Sequence, residues 1–228
     1  MIKFHDELVQ GSPEWLQARC GLLTASEMKL IITPTLKVAS NDKERSHLYE
    51  LLAQRITKHV EPTYISDGML RGMEDEIEAR LEYAKHYAEV KEVGFITNDT
   101  WGFTIGYSPD GLVGEDGQVE FKSRKQSLQV RTLIDYVSED QIDPDYMIQV
   151  QTGLLVSQRK WCDLGSYSGG LPMATVRVFA DDKIHGAILG AAEAFESRLQ
   201  AAYEKYMSVL ASKARLIETQ RKERLEIY

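Results

Sequence analysis

The stretch Ile105–Lys125, IGYSPDGLVGEDGQVEFKSRK, decides how this chain is read. Ser108-Pro109-Asp110-Gly111 reads as a tight turn between two apolar runs, with proline fixing one φ and glycine free to take φ > 0. Asp110 therefore falls at a strand end. In Gly117-Gln118-Val119-Glu120-Phe121-Lys122 the residues alternate, so Val119 and Phe121 point to one face while Glu120 and Lys122 point together to the other. Two carboxylates and one ammonium can then share a pocket.

That trio suits phosphodiester hydrolysis. Carboxylate oxygens are hard ligands for Mg²⁺ in partial coordination, which leaves positions for water and phosphate. The bound metal lowers the pKa of water and neutralises transition-state charge, and a lysine beside it can orient the attacking water. A plainer reading stands beside this one. Asp-Gly is a common turn, and a Glu-x-Lys arises by chance about once in a chain of this composition and length. Glu89-Val90-Lys91 is such a copy.

Composition bounds the function. The 228 residues can form one large domain, read here as residues 1–228 with N-terminal helices over 1–67, a catalytic core over 68–168 and a strand and long helix over 169–228. Lys plus Arg number 27 against 35 Asp plus Glu, a net charge of -8. This argues against a diffuse coat for nucleic acid but leaves room for a basic groove around an acidic metal site. Only Cys20 and Cys162 are present, so a single chain offers neither a disulfide framework nor a four-cysteine zinc or iron-sulfur site. The N-terminus MIKFHDELVQ lacks the apolar run of a signal peptide, and no stretch approaches the ~20 apolar residues of a membrane span. A soluble, cytoplasmic protein is expected.

Along the chain, Ser12-Pro13-Glu14 predicts a short helix ending near Cys20, with Trp15 and Leu16 buried. Thr24-Ala25-Ser26-Glu27 has the capping-box pattern and predicts a second helix through Ile32. An arginine, Arg19, just ahead of a helix N-terminus with two hydroxyls makes an anion pocket. Equally, Thr24 and Ser26 could only cap and Arg19 could pair with a surface acid. Asp42–Val60 reads as an amphipathic helix with Leu48, Leu51, Leu52 and Ile56 inside. A longer helix follows over about 72–89, with Met73, Ile77, Leu81 and Ala84 as its buried stripe, Glu76 and Arg80 as a surface pair, and Met69 and Leu70 just ahead of it.

Val93–Thr97 and Trp101–Tyr107 predict a hairpin feeding the Asp110 turn, with Gln118–Ser123 as the next strand. Asp143-Pro144 opens a helix to about Ser157, Lys160–Tyr167 and Ala174–Ala180 are two more strands, and a long helix covers about 182–211. The basic stretch Lys213–Arg224 is helical, frayed or a DNA or partner contact; sequence does not choose. This order predicts an α/β fold with a central mixed sheet flanked by helices.

The residues Pro109, Asp110, Glu120 and Lys122 also spell the PD-(D/E)xK pattern. With WLQARCGLLTASE over 15–27 and YMIQVQ over 146–151, the chain resembles the phage lambda exonuclease family of viral recombination nucleases, from about Trp15 to Gly165. The resemblance implies a restriction-endonuclease-like core and a 5'-to-3' double-strand DNA exonuclease using Mg²⁺, with Mn²⁺ as a substitute. It implies that Asp110, Glu120 and the backbone carbonyl of Phe121 hold metal, that Lys122 acts on the water, and that Glu76 and Gln149 support the site. It assigns Arg19, Thr24, Ser26 and Ser108 to a 5'-phosphate pocket and Met69 or Leu70 to a wedge between DNA strands. The family's basic residue after the lysine falls on Leu128; Arg124 or Arg131 replaces it only with a shift. Also implied are a homotrimeric ring, a single-strand annealing partner and a phage or prophage origin in a bacterial cell. Rival readings are an endonuclease on the same core and a non-catalytic DNA-binding protein.

Overall fold

The computed structural model describes residues 1–62 and 66–221. Among these residues eight strands divide into two four-stranded mixed sheets, and the break between them falls at the Ser108–Asp110 turn. The first sheet has the order β1 (Ile2–His5), β3 (Phe95–Asn98), β4 (Ile105–Tyr107), β2 (Leu23–Thr24). The second has the order β5 (Gly111–Val113), β6 (Gly117–Ser123), β7 (Trp161–Tyr167), β8 (Ala174–Phe179). β6 and β7 run parallel with Glu120 opposite Leu164, whereas β5 and β8 run antiparallel to their neighbours. The α/β class with mixed sheets flanked by helices is as the sequence predicts, but the single sheet expected is split in two.

Helix α5 (Met147–Ser157) joins the halves, packing on β3 and β4 of one sheet and on β7 of the other. It is buried nearly all round, from Ile148 and Val150 to Leu154, Leu155 and Val156, which is why its apolar residues show little one-sided pattern. On one side α5 packs against α6 (Asp182–Leu210), whose Ile188, Ala191, Ala192, Phe195 and Leu199 also cover α2 (Asp42–Thr57). Ion pairs fasten that seam: Arg55 to Glu196 at 2.6 Å and Arg198 to buried Glu44 at 2.8 Å. Asn41 caps α2 through the Lys43 and Glu44 N–H groups, and Asp181 caps α6 likewise.

Several sequence expectations change. The capping box at Thr24 does not open a helix: Leu23 and Thr24 pair in parallel with β4, and a 3-10 turn over Met28–Leu30 follows. Thr24 is held by strand pairing, so its side chain is free to bond Glu27 Oε2 at 2.6 Å. In α1 (Pro13–Arg19), Trp15 is half-buried and Leu16 exposed. Helix α3 (Asp67–His86) starts earlier than its stripe predicts, because Ser66 accepts the Met69 N–H as N-cap. Met69 and Leu70 therefore lie in its first turn.

The buried face of α3 is also not the apolar one. Ala79 and Tyr83 are buried, whereas Met73, Ile77 and Leu81 are exposed at 50%, 51% and 59%. Docking is fixed by a polar anchor instead. The Tyr83 hydroxyl donates to Asp163 Oδ2 at 2.6 Å, and Arg177 grips the same buried carboxylate with Nε at 2.7 Å and Nη2 at 2.8 Å. Arg177 in turn stacks 3.6 Å over Trp161. Helix α4 (Gln126–Asp135) has no forecast in the sequence, since its inward residues are polar: Gln129 bonds the carbonyls of Ser166 and Pro172.

The Asp163 anchor has a measurable weight. Asp163→Ala leaves the Tyr83 hydroxyl and the Arg177 fork without their acceptor, so denaturant unfolding is expected to show a loss of about 3 kcal/mol.

Candidate active site

The turn carrying Asp110 is bound directly to the strand carrying Glu120 and Lys122. Asp110 Oδ2 accepts the Phe121 backbone N–H at 2.5 Å, which sets the carboxylate beside the middle of β6. Glu120 projects from that strand and is 1% exposed. Its Oε2 accepts from Lys122 Nζ at 2.8 Å and from Gln149 Nε2 of α5 at 2.8 Å. Its Oε1 is buried without a hydrogen-bond partner. Phe121 faces the opposite way, edge-on to Tyr83 with ring centroids 5.9 Å apart. The alternation expected in the sequence is thus realised residue by residue.

Glu76 enters from α3. Burial raises its carboxyl above the usual range; Arg80 pulls it down and Glu120 pushes it up again, which places it in the same electrostatic field. Arg80 does not form a simple surface pair with Glu76. It bonds Glu92 at 3.1 Å and donates to the Asp110 carbonyl at 3.3 Å, so it braces the turn. Burial and then the charge of Glu120 push Asp110 well above its ordinary value, with Lys122 opposing. Burial alone would lower the Lys122 ammonium, but Glu120 and Asp110 outweigh it and raise it. Lys122 is accordingly a fixed cation here.

Three carboxylates around one lysine leave excess negative charge in a poorly solvated cleft, and that is the electrostatic demand a divalent cation meets. The donor set fits a hard ion: Asp110 and Glu120 supply carboxylate oxygens, and Glu120 Oε1 has a lone pair to give. Among the described residues no three His, Cys, Asp or Glu side chains form a complete ligand set. Mg²⁺ does not require one, since it keeps waters and binds through one or two carboxylates.

A second cluster adjoins the first through the same turn. Arg19 Nη1 lies 3.3 Å from Ser108 Oγ and its Nη2 3.3 Å from Thr24 Oγ1, while Thr24 Oγ1 and Ser26 Oγ are 3.3 Å apart. Trp15 carries Arg19 on its ring at 4.3 Å and donates its indole N–H to Ser108 Oγ at 3.0 Å. Burial lowers the Arg19 pKa, with Glu27 opposing. Ser108 is two residues from Asp110, and Gln10 fixes the intervening turn by donating to the Pro109 carbonyl at 2.8 Å. Arg19, Thr24, Ser26 and Ser108 are thus brought together in one cluster. Trp15, Glu27 and Gln10 have no chemical signature in the sequence that marks them for this role.

Arg124 and Met69 stand apart from that cluster. The Arg124 guanidinium is held by Tyr146 Oη at 2.6 Å, Asp143 Oδ2 at 2.8 Å and Thr132 Oγ1 at 3.2 Å. Arg131 is engaged on α4 by Asp135 and Tyr136, and Leu128 is partly exposed on the same helix. Met69 and Leu70 are exposed at the start of α3.

A split mixed-sheet α/β core with a carboxylate and a lysine on one strand and a second carboxylate in the turn bound to it defines the class: a phage-type exonuclease fold. The profile of the YqaJ-like viral recombinase domain matches residues 14–160, more than half of the chain. The chain belongs to this family of viral recombinases, within the lambda exonuclease group whose pattern its motifs follow. An alkaline exonuclease (LHK-Exo) from Laribacter hongkongensis is 30% identical, with a TM-score of 0.76 over 88% of this chain and 98% of that one. The same enzyme in complex with dAMP aligns at 31% identity and a TM-score of 0.77, with the same coverage. A phage-related exonuclease from Haemophilus somnus 129PT, 14% identical with a TM-score of 0.57 over 83% of this chain and 96% of that one, shares the fold. No curated protein sequence matches the chain.

Gly153 of α5, one turn beyond Gln149, tests how tightly the site's floor is packed. A Cβ there would lie 2.6 Å from Tyr107 Cζ and 2.9 Å from Gln118 Nε2. The helix-propensity gain of Gly153→Ala is about 1 kcal/mol. Overpacking at such distances costs about 1–3 kcal/mol, so the variant is expected to unfold at lower denaturant than wild type.

Proposed function

We propose that this protein is a Mg²⁺-dependent 5'-to-3' exonuclease of double-stranded DNA that leaves 3' single-stranded tails for annealing-type recombination. The single observation that carries the reading is the convergence of Asp110, Glu120 and Lys122, with Gln149 on the same Glu120 oxygen. Its support from relatives is the family match and the likeness to an alkaline exonuclease, one structure of which holds dAMP, a deoxynucleoside monophosphate.

In this reading Asp110 and Glu120, with the Phe121 carbonyl, hold the metal. When bound, a divalent ion supplies Lewis-acid stabilisation of phosphoryl charge and a more acidic water. Lys122, fixed as a cation beside Glu120, orients the attacking water and balances charge. Glu76 sets the field from α3, and Gln149 holds Glu120 in place. Arg19, Thr24, Ser26 and Ser108 receive the terminal 5' phosphate: a half-buried guanidinium and three hydroxyls form charge-assisted bonds to its oxygens. Because Ser108 and Asp110 share one turn, the terminal phosphate and the cleaved bond are held in fixed relation. Met69 or Leu70 separates the strands, whereas Arg124, spent on Asp143, Tyr146 and Thr132, braces the end of β6.

A homotrimeric ring around the duplex, working beside a single-strand annealing protein, completes the proposal. Enclosure keeps a chain of net charge -8 on a polyanion without uniform positive charge, since only the lining must be basic. The uncovered apolar residues of α3 supply surface for subunit contact. Sedimentation is expected to give three chains per particle; a monomer at working concentration would remove the ring. Among the described residues no helix is long and apolar enough to cross a membrane.

The decisive assay follows digestion of linear duplex with a 5' phosphate on one end. Asp110→Ala and Lys122→Ala are each expected to lower mononucleotide release by about 10²-fold or more while duplex binding persists. Wild-type digestion by either variant overturns the assignment. Cleavage of closed circular duplex would identify an endonuclease, and absence of Mg²⁺-dependent nucleotide release a binding protein. Arg19→Ala is expected to remove the preference for the phosphorylated end and leave a slow, end-indifferent activity.

A further inference from the structure

Next to Glu120 lies a second polar cluster that the proposed mechanism does not use. Tyr107 at the end of β4 is 1% exposed, and its hydroxyl has no hydrogen-bond partner. Gln118 is fully buried; its Oε1 accepts from Ser157 Oγ at 2.7 Å, but its Nε2 has no partner. Glu120 Oε1 is the third buried atom without one. These three atoms belong together. Gln118 and Glu120 are two apart on β6 and so point to the same face. The Tyr107 ring and Gln118 Nε2 both close on Gly153 of α5, where a Cβ would lie within 2.6 Å and 2.9 Å of them.

The chemistry is complementary: two donors, a phenol O–H and an amide N–H, beside one acceptor. A buried polar group left unpaired costs about 1–3 kcal/mol, so two donors and an acceptor on neighbouring residues, unbonded to one another here, mark groups kept for a partner rather than for packing. The phenol is a secure donor. A phenol O–H ordinarily keeps its proton through the neutral range.

We propose that Tyr107, aided by Gln118, is a positioning residue for the metal ligand: its hydroxyl, which makes no hydrogen bond to Glu120 Oε1 in this structure, would turn to that oxygen from the core side when the carboxylate takes a cation. A carboxylate oxygen offers two lone-pair directions, one for the cation in the cleft and one for a donor behind it. Lys122 and Gln149 fix the other oxygen, so the carboxylate plane would be set from both ends. Outer hydrogen-bond partners of this kind typically change metal affinity ten- to a hundredfold when removed. The inference rests on the metal-dependent reading above and assigns the tyrosine no contact with DNA.

Tyr107→Phe tests it, because the ring and its packing remain while the hydroxyl goes. Binding of Mn²⁺ alone to the DNA-free protein, followed by electron paramagnetic resonance, is expected to weaken about 10- to 100-fold. The Mg²⁺ concentration for half-maximal digestion should rise by the same factor. Gln118→Met is expected to weaken Mn²⁺ binding in the same direction by a smaller factor, and serves as the test if the tyrosine variant fails to fold. Wild-type Mn²⁺ affinity in Tyr107→Phe, or in Gln118→Met where that is the variant that folds, overturns the inference and leaves the nuclease reading intact. If the wild-type protein itself binds no Mn²⁺ and needs no metal for digestion, the metal reading fails instead.

Discussion

One hydrogen bond governs the geometry of the site: the Phe121 backbone N–H to Asp110 Oδ2. It closes the gap at which the two sheets part, so the loop leaving the first sheet is held against the middle of the strongest strand pair of the second. Because the donor is a main-chain group within β6, its position is set by the whole β6–β7 ladder rather than by a side chain that can turn. Glu120 and Lys122 flank that same amide in sequence. A shift in register of one residue would turn both away from the cleft and bring Phe121 into it.

The Asp110 turn also couples the two clusters. Ser108 reaches Arg19, Trp15 reaches Ser108, and Arg80 and Gln10 bond the carbonyls of Asp110 and Pro109. Helices α1 and α3 and the loop ahead of α1 therefore converge on the three residues Ser108–Asp110. A proline and a following glycine give the turn its shape, but these side chains give it its fixed place. In the function proposed above the turn would hold two phosphates of one strand at a set spacing, where an error of an ångström is costly to rate.

Much of this was legible in the sequence where the signal is a period or a turn. The alternation of Gln118–Lys122 and the Ser108–Gly111 turn placed the central trio, and the caps at Ser12 and Asp143 mark real helix starts. Reading failed where polar residues do the packing. Helix α4 docks through Gln129 and α3 through Tyr83 on Asp163, so the search for an apolar stripe missed one and rotated the other. The Thr24–Glu27 pattern fits a capping box, but strand pairing at Leu23–Thr24 overrode the local preference. Tyr107 was invisible for another reason: its ring looks like core, and only its surroundings make its hydroxyl important.

The rotation of α3 follows from the charge it has to deliver. Glu76 must face Glu120 and Lys122, and on a helix Ala79, Arg80 and Tyr83 come with it to the same side. Met73, Ile77 and Leu81 are then turned outward, against the rule that a helix buries its apolar face. Bringing a third carboxylate toward two others is unfavourable by itself, so the helix needs an attachment that does not depend on that face. The Tyr83–Asp163–Arg177 anchor provides it from behind, through charge-assisted bonds to a carboxylate on β7. Helix α3 is thus tied down through Tyr83 on its inward face to an ion pair between β7 and β8, and its apolar stripe is left exposed.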